Sequence, residues 1–411
     1  MIKSTKGNRM IRRVIFIGIL FLSFALTGCE LLPWFRYPEE AVMVRVKPGK
    51  WPNLADDLDK ASLYQAMEQS RVYLRRLPPD RTFRFGPDSY SAQHLLVSLD
   101  AFEKLYRSVG TGKPLTRALK QEFIFYKSVG KKGKGEVICT GYYEPLLKGS
   151  LKPGGNFRWP LYKKPDDLIQ ASLGDFSPDL AGKAIKGRLQ GRKLVPYYTR
   201  SDIERKSALA GRNLELVWVD DPISLLFLHI QGSGRVQLPD GKIMQVGYAE
   251  SNGRPYRSLG QRLLELDLIS QEEMSMQAIR KWLVNHPEKA MTLMDYNESY
   301  IFFRSLENGP LGNINVPLTS GRSVALDHRI FPKGALAWLQ CRKPVIDSGR
   351  IERWEEFSRL VMVQDTGGAI RGPGRLDLFF GHGVEAEIGA GHMKESGRLF
   401  FLVMKTGKSQ N

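Results

Sequence analysis

The sequence predicts a mainly β protein with helical segments, whose last third closes into a small barrel. Three patterns point there. From Val316 onward, five short apolar runs alternate with Gly-containing turns: Ser323–Leu326, Leu336–Leu339, Leu360–Val363, Leu376–Phe380 and Leu399–Val403. Runs of this length read as strands, and five in succession suit a small closed barrel. Earlier, Val137–Tyr143, Leu214–Val219 and Met244–Tyr248 have the same strand character. Third, apolar residues recur at helical spacing in Ala61–Met67, in Ala92–Leu99 and at Leu259, Leu263 and Leu266, so residues 57–128 and 259–296 are expected to be helical. There is no internal repeat and no low-complexity tract.

Residues 1–13 carry Lys3, Lys6, Arg9, Arg12 and Arg13 and no acid, and Val14–Leu26 is almost wholly apolar. A basic start, a short apolar stretch and small residues after it make a secretory signal, too short for a comfortable membrane span. Leu26-Thr27-Gly28-Cys29 has the form of a bacterial lipobox, followed by Glu30. Residues 1–28 are therefore expected to be removed and Cys29 to be lipidated. In bacterial lipoproteins this pattern implies the outer membrane, with the protein facing the periplasm. Acyl chains contribute about 0.8 kcal/mol per buried methylene, so several would hold a soluble domain on a bilayer. Residues 29–56 contain Pro and Trp without periodicity and read as a tether.

Without residues 1–28 the formal charge falls from +18 to +13. That balance favours an anionic partner. The export signal argues against nucleic acid and leaves peptidoglycan, whose stem peptides carry carboxylates. A generally basic surface is the plain alternative. Cys139 and Cys341 both sit in apolar contexts and allow either one disulfide or two buried thiols. The six histidines are dispersed, and no cluster has metal-ligand spacing. No metal and no cofactor is expected.

The chemistry-bearing residues concentrate near the end, in Gln364-Asp365-Thr366-Gly367-Gly368-Ala369-Ile370 and Arg375-Leu376-Asp377-Leu378-Phe379-Phe380-Gly381. Asp365 opens a Gly-rich turn. Asp377 lies in an apolar strand-like run, where a carboxylate is costly unless something needs it. The pair resembles the acid equipment of glycosidic-bond cleavage. Serine-nucleophile chemistry is poorly supported, because Gly232-Ser233-Gly234 lacks the outer spacing of a nucleophile elbow. Saccharide contacts are expected from the adjacent aromatics Tyr142 and Tyr143, and a similar pair stands at Tyr197 and Tyr198. Asp220-Asp221-Pro222 caps a helix that runs into Gln231-Gly232-Ser233-Gly234-Arg235, where glycines would let backbone approach a bulky ligand. Asn252-Gly253-Arg254-Pro255-Tyr256 is a polar, aromatic turn. Glu298 suits either a site or a turn cap, and Asp327 suits a turn-closing bond better than catalysis.

Gly141-Tyr142-Tyr143-Glu144-Pro145, His229-Ile230-Gln231-Gly232-Ser233-Gly234, Gly247-Tyr248, Asn252–Tyr256, Leu326-Asp327, Gln364–Ile370 and Leu376-Asp377 together resemble the membrane-bound lytic murein transglycosylase A family. The last third resembles its three-aspartate module, whose name fits Asp327, Asp365 and Asp377. The resemblance runs from about Val137 to Val403. It implies a double-psi β-barrel catalytic domain built from residues 57–145 and 291–411. A smaller β-barrel-like domain, residues 146–290, is inserted between them, with a glycan groove between the two domains. It implies Asp377 as single acid/base and Asp365 as the supporting carboxylate. Tyr142, Tyr143, Gln231, Gly232, Ser233, Gly234, Asn252, Tyr256, Asp327 and Gly368 become candidates for substrate binding. Glu144 departs from the neutral residue of some relatives, which changes the polarity of the groove.

The expected reaction is cleavage between N-acetylmuramic acid and N-acetylglucosamine without water, the muramic C6 hydroxyl closing onto C1. Asp377 would need a raised pKa to hold a proton near neutral pH, and Leu376, Leu378, Phe379 and the charge of Asp365 are expected to raise it. A carboxylate-dependent hydrolase and a non-catalytic peptidoglycan-binding lipoprotein stay open as alternatives. The chain is expected to act as a monomer, open to cell-wall enzyme complexes.

Overall fold

A computed structural model describes residues 41–406 of the chain. The expected leader, Cys29 and the start of the tether lie outside the described residues. The first part comprises β1 (Met43–Arg45), α1 (Lys60–Arg75), the hairpin β2 (Thr82–Phe85) and β3 (Asp88–Ser91), α2 (Ala92–Val109), α3 (Lys113–Glu122), β4 (Phe123–Ser128) and β5 (Val137–Glu144). The middle part begins with β6 (Leu146–Ser150), β7 (Trp159–Tyr162), β8 (Ile169–Ser172), β9 (Ala184–Gln190), β10 (Lys193–Pro196) and α4 (Arg200–Glu204). It continues with β11 (Glu215–Val219), α5 (Pro222–Gln231), β12 (Ser233–Gln237), β13 (Ile243–Ser251), α6 (Leu259–Glu265), α7 (Met276–Asn285), α8 (Pro287–Asp295) and β14 (Ile301–Leu306). The last part is β15 (Ser323–Ala325), β16 (Leu336–Asp347), β17 (Arg350–Asp365), β18 (Arg375–His382), α9 (Val384–His392) and β19 (Lys394–Met404).

All five strands expected in the last third are present, and they close with β5 into a six-stranded barrel. The order is β5–β18–β15–β17–β16–β19, and β19 pairs back onto β5. The β18–β5 and β15–β17 pairings are parallel, which hairpins cannot supply. Side-chain alternation sends Cys139, Val324, Val363, Leu376, Leu378 and Leu399 to the core. Helices α1 and α2 add Leu63, Met67, Leu95, Leu99 and Phe102 to the same core. Both helices start on a side-chain cap, Asp59 accepting from the Ser62 N–H and Ser91 from the His94 N–H.

The middle part forms a second six-stranded sheet in the order β14–β13–β12–β6–β11–β7. A bridge between Lys163, just after β7, and Phe303 of β14 curls it toward closure. Leu147, Leu161, Val217, Val236 and Val246 fill its core. The small sheet β10–β9–β8 and helices α5–α8 complete this part. No helix among the described residues is long and apolar enough to cross a membrane.

Three expectations need correction. Residues 57–128 are not wholly helical: the turn at Gly86-Pro87 makes the β2–β3 hairpin, and Phe123–Ser128 pairs with β19 as β4. Within the region read as tether, β1 pairs with β4, Trp51 and Leu54 are buried, and Asp56 forms a fully buried ion pair with Arg322. Residues 43–56 thus pack onto the sheet that contains the barrel. The inserted domain also extends past residue 290, because β14 is an edge strand of its sheet. Cys139 and Cys341 are buried free thiols.

Candidate active site

Strand period explains how the two aspartates meet. Leu376 and Leu378 point into the barrel core, so Asp377 and Phe379 point outward. In the parallel register with β5, Asp377 lies opposite Thr140 and Phe379 opposite Tyr142. On the other side, Ala325 of β15 faces Asp377 of β18 and Asp365 of β17. Both carboxylates therefore flank one small side chain on the outer wall of the barrel, their Cα atoms about 10 Å apart across two strand spacings.

Their hydrogen bonding differs. Asp365 Oδ1 accepts the backbone N–H of Asn313 at 2.9 Å and of Thr366 at 2.8 Å, and Oδ2 accepts the Tyr142 hydroxyl at 2.9 Å. Asp377 Oδ1 accepts the Thr140 hydroxyl and lies 3.4 Å from Arg375 Nε, whereas Oδ2 has no hydrogen-bond partner among the described residues. Burial pushes both carboxyls up, and Asp365 reaches about 6. For Asp365 the charge of Asp377 adds to burial, while its three donors oppose it. For Asp377, Arg375 and the Thr140 hydroxyl oppose burial. The apolar groups beside the pair are Tyr142, Phe379, Ala325, Leu318 and Ile370. Leu376 and Leu378, expected to desolvate Asp377, face the opposite side of the strand.

A carboxyl raised to about 6 in the fold and near 3.8 when unfolded binds its proton more tightly in the native state. Its contribution therefore turns unfavourable as pH rises from about 4 through about 6, and the penalty is complete above that. Asp365→Asn keeps the Oδ1 acceptor for both N–H groups and offers an amide N–H toward the Tyr142 oxygen. The variant is expected to melt higher than the parent at pH 7.5 and no higher at pH 4, measured by thermal unfolding.

The other sequence-derived candidates divide. Gly368 lies exposed in the turn after Asp365, with open space where a side chain would stand. Tyr256, from the middle part, has its hydroxyl pushed up by burial and has Arg375 and Asp377 among the charges around it. Tyr142 holds Asp365 and is not an exposed sugar platform. Tyr143 packs on Ala386 and Ala390 of α9, away from the pair. Gln231 accepts the Tyr143 N–H at 3.0 Å and so ties α5 to the barrel. Gly232 takes the left-handed conformation that ends α5, at φ 82°. A side chain at Gly234 would lie 2.5 Å from a Leu228 methyl and 3.0 Å from the Pro145 carbonyl, so the close approach there is to the chain itself. Ser233 is buried in the β12–β13 ladder. Asn252 is fully buried and bonds the carbonyls of Tyr198 and Glu298 and the N–H of Tyr300. Asp327 is buried, held down at about 2 by Arg329 and by N–H groups that include Gly372, and so pins the Gly-rich turn. Thr140 and Arg375 went unread in the sequence. The signal was available for Arg375, since two-residue spacing puts it on the face of Asp377.

Comparison with known proteins identifies the family of this fold. Residues 138–304 match the model of the MltA specific insert domain, and residues 322–403 that of the 3D domain. The chain is 31% identical to membrane-bound lytic murein transglycosylase A of Escherichia coli over 296 residues, covering 71% of this chain and 73% of that protein. It is 30% identical to the protein of that name from Vibrio cholerae over 280 residues, covering 67% and 68%. The crystal structure of a membrane-bound lytic murein transglycosylase from Agrobacterium tumefaciens superposes with a TM-score of 0.71 at 29% identity, covering 88% of this chain and 98% of that one. By this identity and coverage, and by the barrel with its insert, the chain is an enzyme of the membrane-bound lytic murein transglycosylase A family.

Proposed function

We propose that the protein cleaves the β-1,4 bond between N-acetylmuramic acid and N-acetylglucosamine of peptidoglycan without water, leaving 1,6-anhydro-muramic ends, with Asp377 as the only acid/base. The reaction needs a proton on the leaving oxygen and then a base for the muramic C6 hydroxyl. One carboxyl does both if it begins protonated, and its burial favours that state. The observation that carries the reading is the contrast in occupancy. Both Asp365 oxygens are engaged by three donors, whereas Asp377 Oδ2 has none among the described residues. A second carboxylate that activates water or attacks the sugar needs a free oxygen. Asp365 fits better as the group that holds Tyr142 and the turn and keeps negative charge near the acid. Intramolecular attack by the C6 hydroxyl has a high effective molarity and replaces the missing second catalyst. Tyr256 and Gly368 remain the candidates for contact with glycan, and Cys29 for the lipid that keeps the enzyme on the outer membrane.

Sacculi digested in ¹⁸O-labelled water test the bond-breaking step. Muropeptides with no label at the muramic end, one water lighter than the corresponding reducing sugars, are expected. Labelled reducing-end muramic acid as the primary product would show hydrolysis and give Asp365 a direct role.

A further inference from the structure

We propose that Arg375 is the positioning residue of the acid: its guanidinium holds Asp377 Oδ1 and at the same time anchors the Gly-rich turn that begins at Asp365. The proposal rests on the catalytic reading above. Arg375 and Asp377 stand two residues apart in β18 and share its outward face. Arg375 Nε lies 3.4 Å from Asp377 Oδ1, and Nη1 donates to the Ala369 carbonyl at 3.3 Å. Ala369 is four residues beyond Asp365 in the turn. One planar group therefore spans the two acid-bearing segments, and its fork geometry fixes the angle between its bonds, which an ammonium cannot do.

The chemistry gives this arrangement a purpose. A single carboxyl that donates a proton and then recovers one must be reachable in both states. Burial favours the protonated state. Arg375 and the Thr140 hydroxyl favour the ionised state. The other groups around Asp377 do not replace the guanidinium. On β5, Tyr142 is tied to Asp365, and Cys139 lies on the core side of the strand. Lys394 of β19 pairs with Thr140 on the side away from Asp377 and is exposed. Asp365 of β17, raised to about 6, supplies negative charge only above that pH, and Tyr256 of the middle part has its hydroxyl pushed up by burial. Among the described residues, Arg375 alone brings a cation within hydrogen-bonding reach of the acid.

The test is the pH dependence of anhydro-end release from sacculi by the parent, Arg375→Gln and Arg375→Lys, with thermal unfolding to verify folding. Loss of the cation is expected to move the alkaline limb of kcat upward by about one pH unit, the low end for an adjacent opposite charge. At neutral pH kcat should fall about tenfold, with KM little changed, because the turn loses its tether. Arg375→Lys should restore the limb but not the rate, since one ammonium does not reach both partners. A uniform loss at every pH with an unmoved limb would reduce Arg375 to a structural role and overturn the proposal. A rise in KM alone would make it a substrate contact and overturn it equally. Were the parent to release reducing ends, the anhydro reading would fall, while the limb shift would still be read from those ends.

Discussion

Asp377→Asn should lose at least about three orders of magnitude in turnover on sacculi, at the upper end for a group that transfers protons. It should also keep its fold and its affinity for the polymer. The amide is nearly isosteric and still accepts the Thr140 hydroxyl through one oxygen. It has no proton to give to a leaving alkoxide and no basicity to take one from the C6 hydroxyl, so both halves of the reaction fail together. Asp365→Asn should cost less, because both Asp365 oxygens are already engaged, by the Tyr142 hydroxyl and two backbone N–H groups. Sedimentation with sacculi alongside the rate of soluble muropeptide release separates binding from chemistry. Near-normal release by a folded Asp377→Asn protein would move the acid elsewhere, and Glu144 would be examined first. That carboxyl is buried, is pushed up to about 7 by burial, and lies on the same strand as Thr140 and Tyr142.

Arg322→Met is expected to be the most damaging single change outside the active site. Arg322 and Asp56 have no exposed side-chain surface. Arg322 donates to both Asp56 oxygens, to the carbonyls of Leu360 and Asp59, and accounts for a bond to the Ser62 hydroxyl. Removing one partner of such a pair leaves a buried carboxyl without its counter-charge, at a cost of about 3–5 kcal/mol. In a domain of this size that lowers the melting temperature by about 10 °C. Burial already pushes Asp56 up against the pull of Arg322, so without the arginine it must take a proton to stay inside. The loss should be larger at pH 8 than at pH 4, and Asp56→Leu/Arg322→Met should recover part of it. Equal melting temperatures for parent and Arg322→Met would show that the segment before α1 is not fastened by this pair.

The five strands of the last third were legible because each is an apolar run of strand length with turn residues at both ends. Asp377 is legible for the opposite reason, since a carboxylate among Leu and Phe side chains is conspicuous, and Asp365 because it opens a Gly-rich turn. What stayed hidden was set by pairing over long separations. Nothing local in Met43–Arg45 reveals that it will lie against Ser128–Tyr126, so a short strand in a Pro-rich stretch passes for a tether. Phe123–Ser128 follows α3 directly, with no turn residue between them to mark the change from helix to strand. Gln231 and Asn252 look like ligand residues because polar side chains beside glycines do occur in binding loops. Here the partners of Asn252 are backbone groups, and those of Gln231 are the Tyr143 N–H and the Met276 sulfur, all on distant segments that period and composition do not encode. Thr140 is ordinary in sequence and gains its meaning only from lying opposite Asp377.

The parallel pairing of β5 with β18 also governs timing. Thr140 and Tyr142 are made early, yet the strand that carries Asp377 emerges from the ribosome more than two hundred residues later. Between them lies the whole middle part, from β6 to β14. Contacts of such long separation form late and slowly. A chain still lacking β18 and β19 therefore has neither a closed barrel wall nor Asp377 opposite Thr140. The outer wall that carries both aspartates is thus complete only when β5 has met the strands of the last third.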